Sequence, residues 1–183
     1  MILDKISTKA PKELVEEDIR EKTKKLYKEL NDLHKIMRAE EKHSILAIIQ
    51  ALDCGGKDGS ITSLYKGLFP VATNVHSFKA PTQYESSKDY LWRIHYNVPS
   101  KGNVNLFNRS HYEDILVPTV HKLFDKNTIK KRYKHINDFE SMLKDNDTIV
   151  LKFYLHISKG EQKERFKERY TTLEKKWKYS SND

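Results

Sequence analysis

An α/β sandwich built on a mostly parallel sheet is the fold class predicted by this sequence, and three observations lead to it. Short isoleucine- and valine-rich runs alternate with longer stretches of helical periodicity. The first of these runs, Ile45 to Leu52, is nearly continuous in apolar residues, as a strand buried on both faces must be. A glycine cluster follows it directly and opens into another helical stretch.

Taken in order, Val15, Ile19, Leu26, Leu30, Leu33 and Met37 recur at spacings of three, four and seven, which predicts a helix over about 12–41 with Pro11 in its first turn. Strands are predicted at Ile45–Leu52, near Val75–Phe78, near Val104–Phe107 and at Ile149–Ile157, with helices between them. Thr82 with Glu85, Asn137 with Glu140, and Ser158 with Glu161 have capping-box spacing and are read as helix starts. No internal repeat or low-complexity linker divides the chain, so residues 1–183 are read as one domain.

The 34 Lys and Arg against 26 Asp and Glu leave a net charge of +8, which favours a polyanionic partner. One cysteine, Cys54, excludes an intramolecular disulfide framework. No apolar stretch has the length of a membrane span or a signal sequence, so a soluble, cytoplasmic protein without membrane partners is expected.

The chemistry concentrates at Ala51-Leu52-Asp53-Cys54-Gly55-Gly56-Lys57-Asp58-Gly59, where a buried strand gives way to a helix. Glycines there let successive N–H groups turn toward phosphate oxygens, the helix N-terminus adds positive potential, and Lys57 supplies a movable charge. Cys54, Gly55, Gly56, Asp58 and Gly59 are therefore candidate phosphate-binding residues. Ala51 replaces the first glycine of the usual P-loop, and Asp58 replaces its Ser or Thr. The Asp53 carboxylate needs a cation beside phosphate and is read as a magnesium ligand, with a helix N-cap as its ordinary alternative. Cys54, at a helix N-terminus near Lys57, is either a reactive thiol or a small space-filler.

Five segments, in order, resemble the type 2 polyphosphate kinase family: Ala51–Gly59, Phe78-Lys79-Ala80-Pro81-Thr82, Asp89 to His95, Phe107-Asn108-Arg109-Ser110-His111-Tyr112-Glu113-Asp114, and Leu151 to Lys159 with its continuation to Arg169. The resemblance implies a three-layer α/β/α, P-loop kinase-like fold, with the N-terminal helix, a core over about 44–157 and part of a helical lid over about 158–183. It implies magnesium-dependent transfer of the terminal phosphate of inorganic polyphosphate to ADP or AMP, hence ATP synthesis. The Asn108–Asp114 wording resembles the subgroup acting on both nucleotides; guanine nucleotides are further acceptors to test.

Within that frame Asp53, Lys57 and Arg109 are the catalytic candidates. Arg109 follows a strand at the edge where α/β sheets bind ligands, and its planar fork suits phosphate oxygens. Asn108 stands where the other branch of the family has a metal-binding aspartate, so magnesium falls to Asp53 with Glu113. Lys79 and Arg93 are assigned to nucleotide binding, although Asp89 and Arg93 also have ion-pair spacing. Arg169 is assigned to the phosphate chain, whereas Lys159, Lys163, Arg165 and Lys167 read as an ordinary solvated helix. For His111 and Tyr112, packing and nucleotide contact remain equal alternatives.

Family members continue beyond the position matching Asp183. This form is accordingly expected to bind phosphate ligands better than it turns them over, and to self-associate as a homo-oligomer through the surface those helices cover. The rival functions are an ATP-dependent P-loop nucleotide kinase and a basic nucleic-acid-binding module; the latter lacks any reading motif, so nucleic acid is not an expected partner.

Overall fold

The computed structural model describes residues 3–173; the remainder of the expected lid, with Trp177, lies outside the described residues. Four strands, β1 (Ser44–Ala51), β2 (Thr73–Ser77), β3 (Val104–Asn108) and β4 (Thr148–Leu155), form one sheet in the order β2-β3-β1-β4, with every pairing parallel. The helices are α1 (Glu16–Glu40), α2 (Lys57–Tyr65), α3 (Gln83–Ser86), α4 (Trp92–Tyr96), α5 (Glu113–Val120), α6 (Lys126–Asp145) and α7 (Lys159–Thr171).

Strand periodicity divides the core in two. Leu46 and Ile48 point to one face, where Phe107, Ile94, Phe139 and Leu143 bury them against α4 and α6. Ala47 and Ile49 point to the other and pack with Leu106, Ile61 and Leu68, covered by Leu30 and Met37 of α1. Helices on both faces of a parallel sheet make three layers, as expected.

Several boundaries differ from expectation. The first helix begins at Glu16, not near Lys12, and Pro11 lies outside it in a turn. Its apolar stripe is mostly exposed: of the six residues only Leu30 and Met37 reach the core. The Thr82–Glu85 capping box is complete in both directions. At Ser158 the side chain accepts from the Glu161 N–H as predicted. Asn137 and Glu140, however, lie inside α6, which starts at Lys126 behind the N-cap Asp125, whose carboxylate accepts from the N–H groups of Asn127 and Thr128. Capping-box spacing also arises by chance within a helix, and here the earlier aspartate holds both donors.

Candidate phosphate-binding and nucleotide site

The central strand β1 ends in the glycine loop. Cys54 and Gly56 adopt left-handed conformations (φ 59° and 94°) that turn the chain tightly before α2. A Cβ on Gly55 would lie 2.4 Å from the Ala51 Cβ and 2.8 Å from the Leu52 carbonyl, so Ala51 in place of the usual glycine makes glycine obligatory at 55. Gly56, not Asp53, is the N-cap of α2, and no side chain caps that end. A glycine N-cap has no side chain to offer the first turn, an arrangement that favours an anion there. A cavity of about 210 Å³ lies there, lined by Cys54 to Gly59 with Arg165, Glu168 and Arg169.

Lys57 Nζ donates to the carbonyls of Ala51 (3.1 Å) and Leu52 (3.3 Å), folding back over the loop. Burial, and next the positive charge of Arg109, hold its pKa below the ordinary lysine value. Arg109 follows β3, the strand beside β1, and has a left-handed backbone (φ 64°) fixed by its N–H donating to the Ile49 carbonyl at 3.1 Å. Its guanidinium lies 3.6 Å from Asp53 Oδ1. Asn108 Nδ2 donates to Asp58 Oδ1 at 2.9 Å. Gln50 bridges the same turn, donating to Glu113 Oε1 (3.2 Å) and accepting from Ser110 Oγ (3.0 Å).

Beside this cluster a larger cavity, about 590 Å³, is lined by Lys79, Arg93, Arg109 and Glu113 at one side and by Tyr90, Phe124 and Arg132 at another. That volume is in the range of small-molecule sites. Arg93 is buried and does not pair with Asp89. It donates to the Lys79 carbonyl (2.8 Å) and to Asp114 Oδ2 (3.2 Å), while Asp89 accepts from the Leu91 N–H. Burial decides the outcome, because a buried guanidinium needs a partner that is itself largely withdrawn from solvent, and the Asp114 side chain is only 15% exposed. Arg132, which no sequence motif marks, lies 4.4 Å from the Tyr90 ring and 4.3 Å from the Phe124 ring and donates to the Asp114 carbonyl at 2.6 Å.

The helix α7 is docked on the loop. Gln162 Nε2 donates to the Asp53 carbonyl (2.9 Å) and Arg165 to the Cys54 carbonyl (3.2 Å). Arg165, expected on a solvated face, thus joins Arg169 at the phosphate loop. The signal was present: the two arginines are four residues apart and share one face of the helix. His111 is wholly buried and Tyr112 partly so, and both contact Glu140 of α6, which places them in the packing behind the site. Cys54 is buried, in keeping with a space-filling role.

Among the described residues no three His, Cys, Asp or Glu side chains converge as a metal site. The donors around the loop, Asp53, Asp58 and Glu113, offer oxygen only. That chemistry fits a hard divalent cation that keeps part of its water shell.

A glycine loop at the end of a central parallel strand, flanked by lysine and arginines and abutting a small-molecule cavity, is the architecture of an α/β protein of the P-loop kind. Residues 13–183 match the family described as Polyphosphate kinase 2 (PPK2), and the chain belongs to that family. It is 48% identical over 158 residues to the AMP/ADP-polyphosphate phosphotransferase of Meiothermus ruber, covering 86% of this chain and 59% of that protein. It is 39% identical over 166 residues to the ADP-polyphosphate phosphotransferase of Rhodopseudomonas palustris, covering 84% of this chain and 57% of the relative. The crystal structure of Polyphosphate Kinase 2 from Arthrobacter aurescens TC1 superposes with a TM-score of 0.94 at 36% identity, covering all of this chain and 66% of that one. The chain thus spans well under two-thirds of the length of these two curated relatives.

Proposed function

We propose that the protein is a polyphosphate-dependent nucleotide phosphotransferase that moves the terminal phosphate of inorganic polyphosphate to ADP or AMP, with magnesium. The observation that carries this reading is the convergence of Lys57, Arg109, Arg165 and Arg169 around or beside the uncapped glycine loop, next to a separate cavity sized for a nucleotide. Two adjoining anion-binding spaces suit a reaction with two phosphorylated substrates. The names of the relatives, AMP/ADP- and ADP-polyphosphate phosphotransferase, agree with it. The N-terminal helix, sheet core and lid helix are read as parts of one polyphosphate kinase domain.

Phosphoryl transfer asks the protein to align two phosphate chains and to neutralise the charge between them. In this reading the loop N–H groups (Cys54 to Gly59), Arg165 and Arg169 hold the polyphosphate end. Lys57 leaves the carbonyls of Ala51 and Leu52 for the transferring group, and its burial keeps competing water low. Arg109, between loop and cavity, bridges the two substrates, while Lys79 and Arg93 form the acceptor side. Asp53 and Glu113 would hold the magnesium ion, which supplies charge neutralisation between the phosphate chains when bound.

The test is incubation with magnesium, polyphosphate and each of AMP, ADP, GMP and GDP, followed by chromatographic separation of the nucleotides. A more phosphorylated adenine nucleotide formed without added ATP is the expected result. Turnover only when ATP is the donor would replace this reading with an ordinary nucleotide kinase, and salt-sensitive RNA or DNA binding with no phosphotransfer would replace it with a nucleic-acid-binding module.

A further inference from the structure

Arg109 is held in a conformation that a residue with a Cβ adopts only under constraint, with φ at 64°. Such a backbone persists where its surroundings over-determine it, so the residues that follow Arg109 must be anchored. They are. The Tyr112 N–H donates to Ser110 Oγ, and Ser110 in turn meets Gln50 of β1. Both ring side chains of the turn then converge on one carboxylate behind the sheet. The hydroxyl of Tyr112 donates to Glu140 Oε1 at 2.6 Å, and His111 Nε2 lies 3.3 Å from the same oxygen.

The second oxygen of Glu140 accepts from Lys152 Nζ at 2.6 Å, and Lys152 Nζ also donates to the Tyr112 hydroxyl at 3.1 Å. Lys152 belongs to β4, the strand that leads into α7 and its loop contacts at Gln162 and Arg165. One buried carboxylate, 4% exposed, therefore ties together the turn that presents Arg109, the strand that launches the lid helix, and α6. A carboxylate this deep is costly unless paired, and apolar packing of the same shape would fill the space at lower cost. Its three donors come from the two elements that bracket the phosphate loop.

The geometry points to Glu140 as a positioning residue that acts through Arg109: it holds His111 and Tyr112 so that the Arg109 turn keeps its left-handed form and its guanidinium stays at the mouth of the phosphate loop. Glu140 touches no substrate. This inference rests on the phosphate-binding reading of the loop, and it adds to that reading a residue in a different layer of the fold that sets the strength of the arginine contact.

The experiment is a double-mutant cycle read by tripolyphosphate affinity in titration calorimetry, with turnover of polyphosphate and ADP as a second readout. Arg109→Ala, Glu140→Gln and the double variant are compared with the wild type, and Leu143→Val of α6 serves as a control for stability alone. Glu140→Gln is expected to weaken tripolyphosphate binding roughly tenfold and to lower turnover by up to about a hundredfold, the scale of an ångström-level misplacement. In the Arg109→Ala background the same substitution should add almost nothing. Leu143→Val should lower the melting temperature while leaving the affinity unchanged. Multiplying effects in the double variant, or an affinity loss in Leu143→Val matching that of Glu140→Gln at equal melting temperature, would overturn the inference and leave the phosphate-loop reading intact. A wild-type protein that does not bind tripolyphosphate would overturn that reading and the inference with it.

Discussion

Asn108 Nδ2 donates to Asp58 Oδ1 at 2.9 Å, joining the end of β3 to the first turn of α2. The neutral amide gives the Asp58 carboxylate a donor within the acidic rim of the loop. Asn108→Asp replaces that donor with a second anion, and two carboxylates at hydrogen-bond distance repel unless a cation lies between them. The variant should bind magnesium more tightly than the wild type and should melt lower in EDTA. Thermal melts across a magnesium titration check this. Superimposable titrations of the two proteins would show that the Asn108 side chain does not face the cation.

Lys57 opens α2 beyond the end of β1 and Arg109 follows the adjacent strand β3, close enough that, after burial, the charge of Arg109 helps to lower the Lys57 pKa. Replacing either with alanine should reduce turnover at least about a hundredfold, since one well-placed donor contributes roughly 3 kcal/mol to a charged transition state. Initial rates at saturating polyphosphate measure the effect. Losses below tenfold in both variants would remove them from the catalytic centre.

The loop glycines are not equivalent. Gly55→Ala drives a methyl group into the Ala51 Cβ and the Leu52 carbonyl, whereas a Cβ at Gly59 meets nothing within 4 Å. Gly55→Ala should abolish phosphate binding and lower stability. Gly59→Ala lies inside α2 and should raise stability by up to about 1 kcal/mol, the usual gain of alanine over glycine in a helix. Denaturant midpoints of the two variants, one shifted down and one up, are the expected pair.

Glu140 makes stability depend on acid. Burial alone would raise its pKa, but hydrogen bonds from His111, Lys152 and Tyr112 outweigh it and bring the value from 4.5 down to about 2. A carboxylate with a depressed folded pKa contributes stability that is fully present above 4.5 and is lost as pH falls toward 2. The difference corresponds to about 3 kcal/mol. Urea unfolding at pH 7, at the ordinary carboxylate pKa and near pH 3 should show this loss in the wild type and a flatter profile in Glu140→Gln. Equal slopes in the two proteins would assign the acid sensitivity to other carboxylates.

The sheet was legible because its strands are short apolar runs and because parallel strands buried on two faces leave little choice of residue. The place of the glycine loop between β1 and α2 was legible because a glycine cluster directly after such a strand breaks it and opens the next helix. Three things were not. The partner of Arg93 was not legible, because spacing along the helix permits Asp89 and only the tertiary fold brings Asp114 within reach. Arg165 looked like one more charge on a solvated helix, since only its four-residue spacing from Arg169 hinted at which face of α7 meets the loop. Arg132 belongs to a helix whose charge pattern is unremarkable, and of its two aromatic neighbours Phe124 just precedes that helix while Tyr90 comes from a segment far away in sequence.

The register that sets Ile49 of β1 beside Asn108 of β3 also has a kinetic meaning. The loop and the arginine that serves it are distant in the chain and meet only when these two strands have zipped to their last rungs. Until then there is no cradle. Long-range parallel pairing is a slow step in folding, because loop-closure entropy is lost before any contact rewards it. On the proposed reading a phosphate-rich ligand would recognise only the completed pair and would raise the melting temperature by mass action. Polyphosphate in solution should therefore act as a folding aid for this chain, capturing each molecule at the moment its sheet closes.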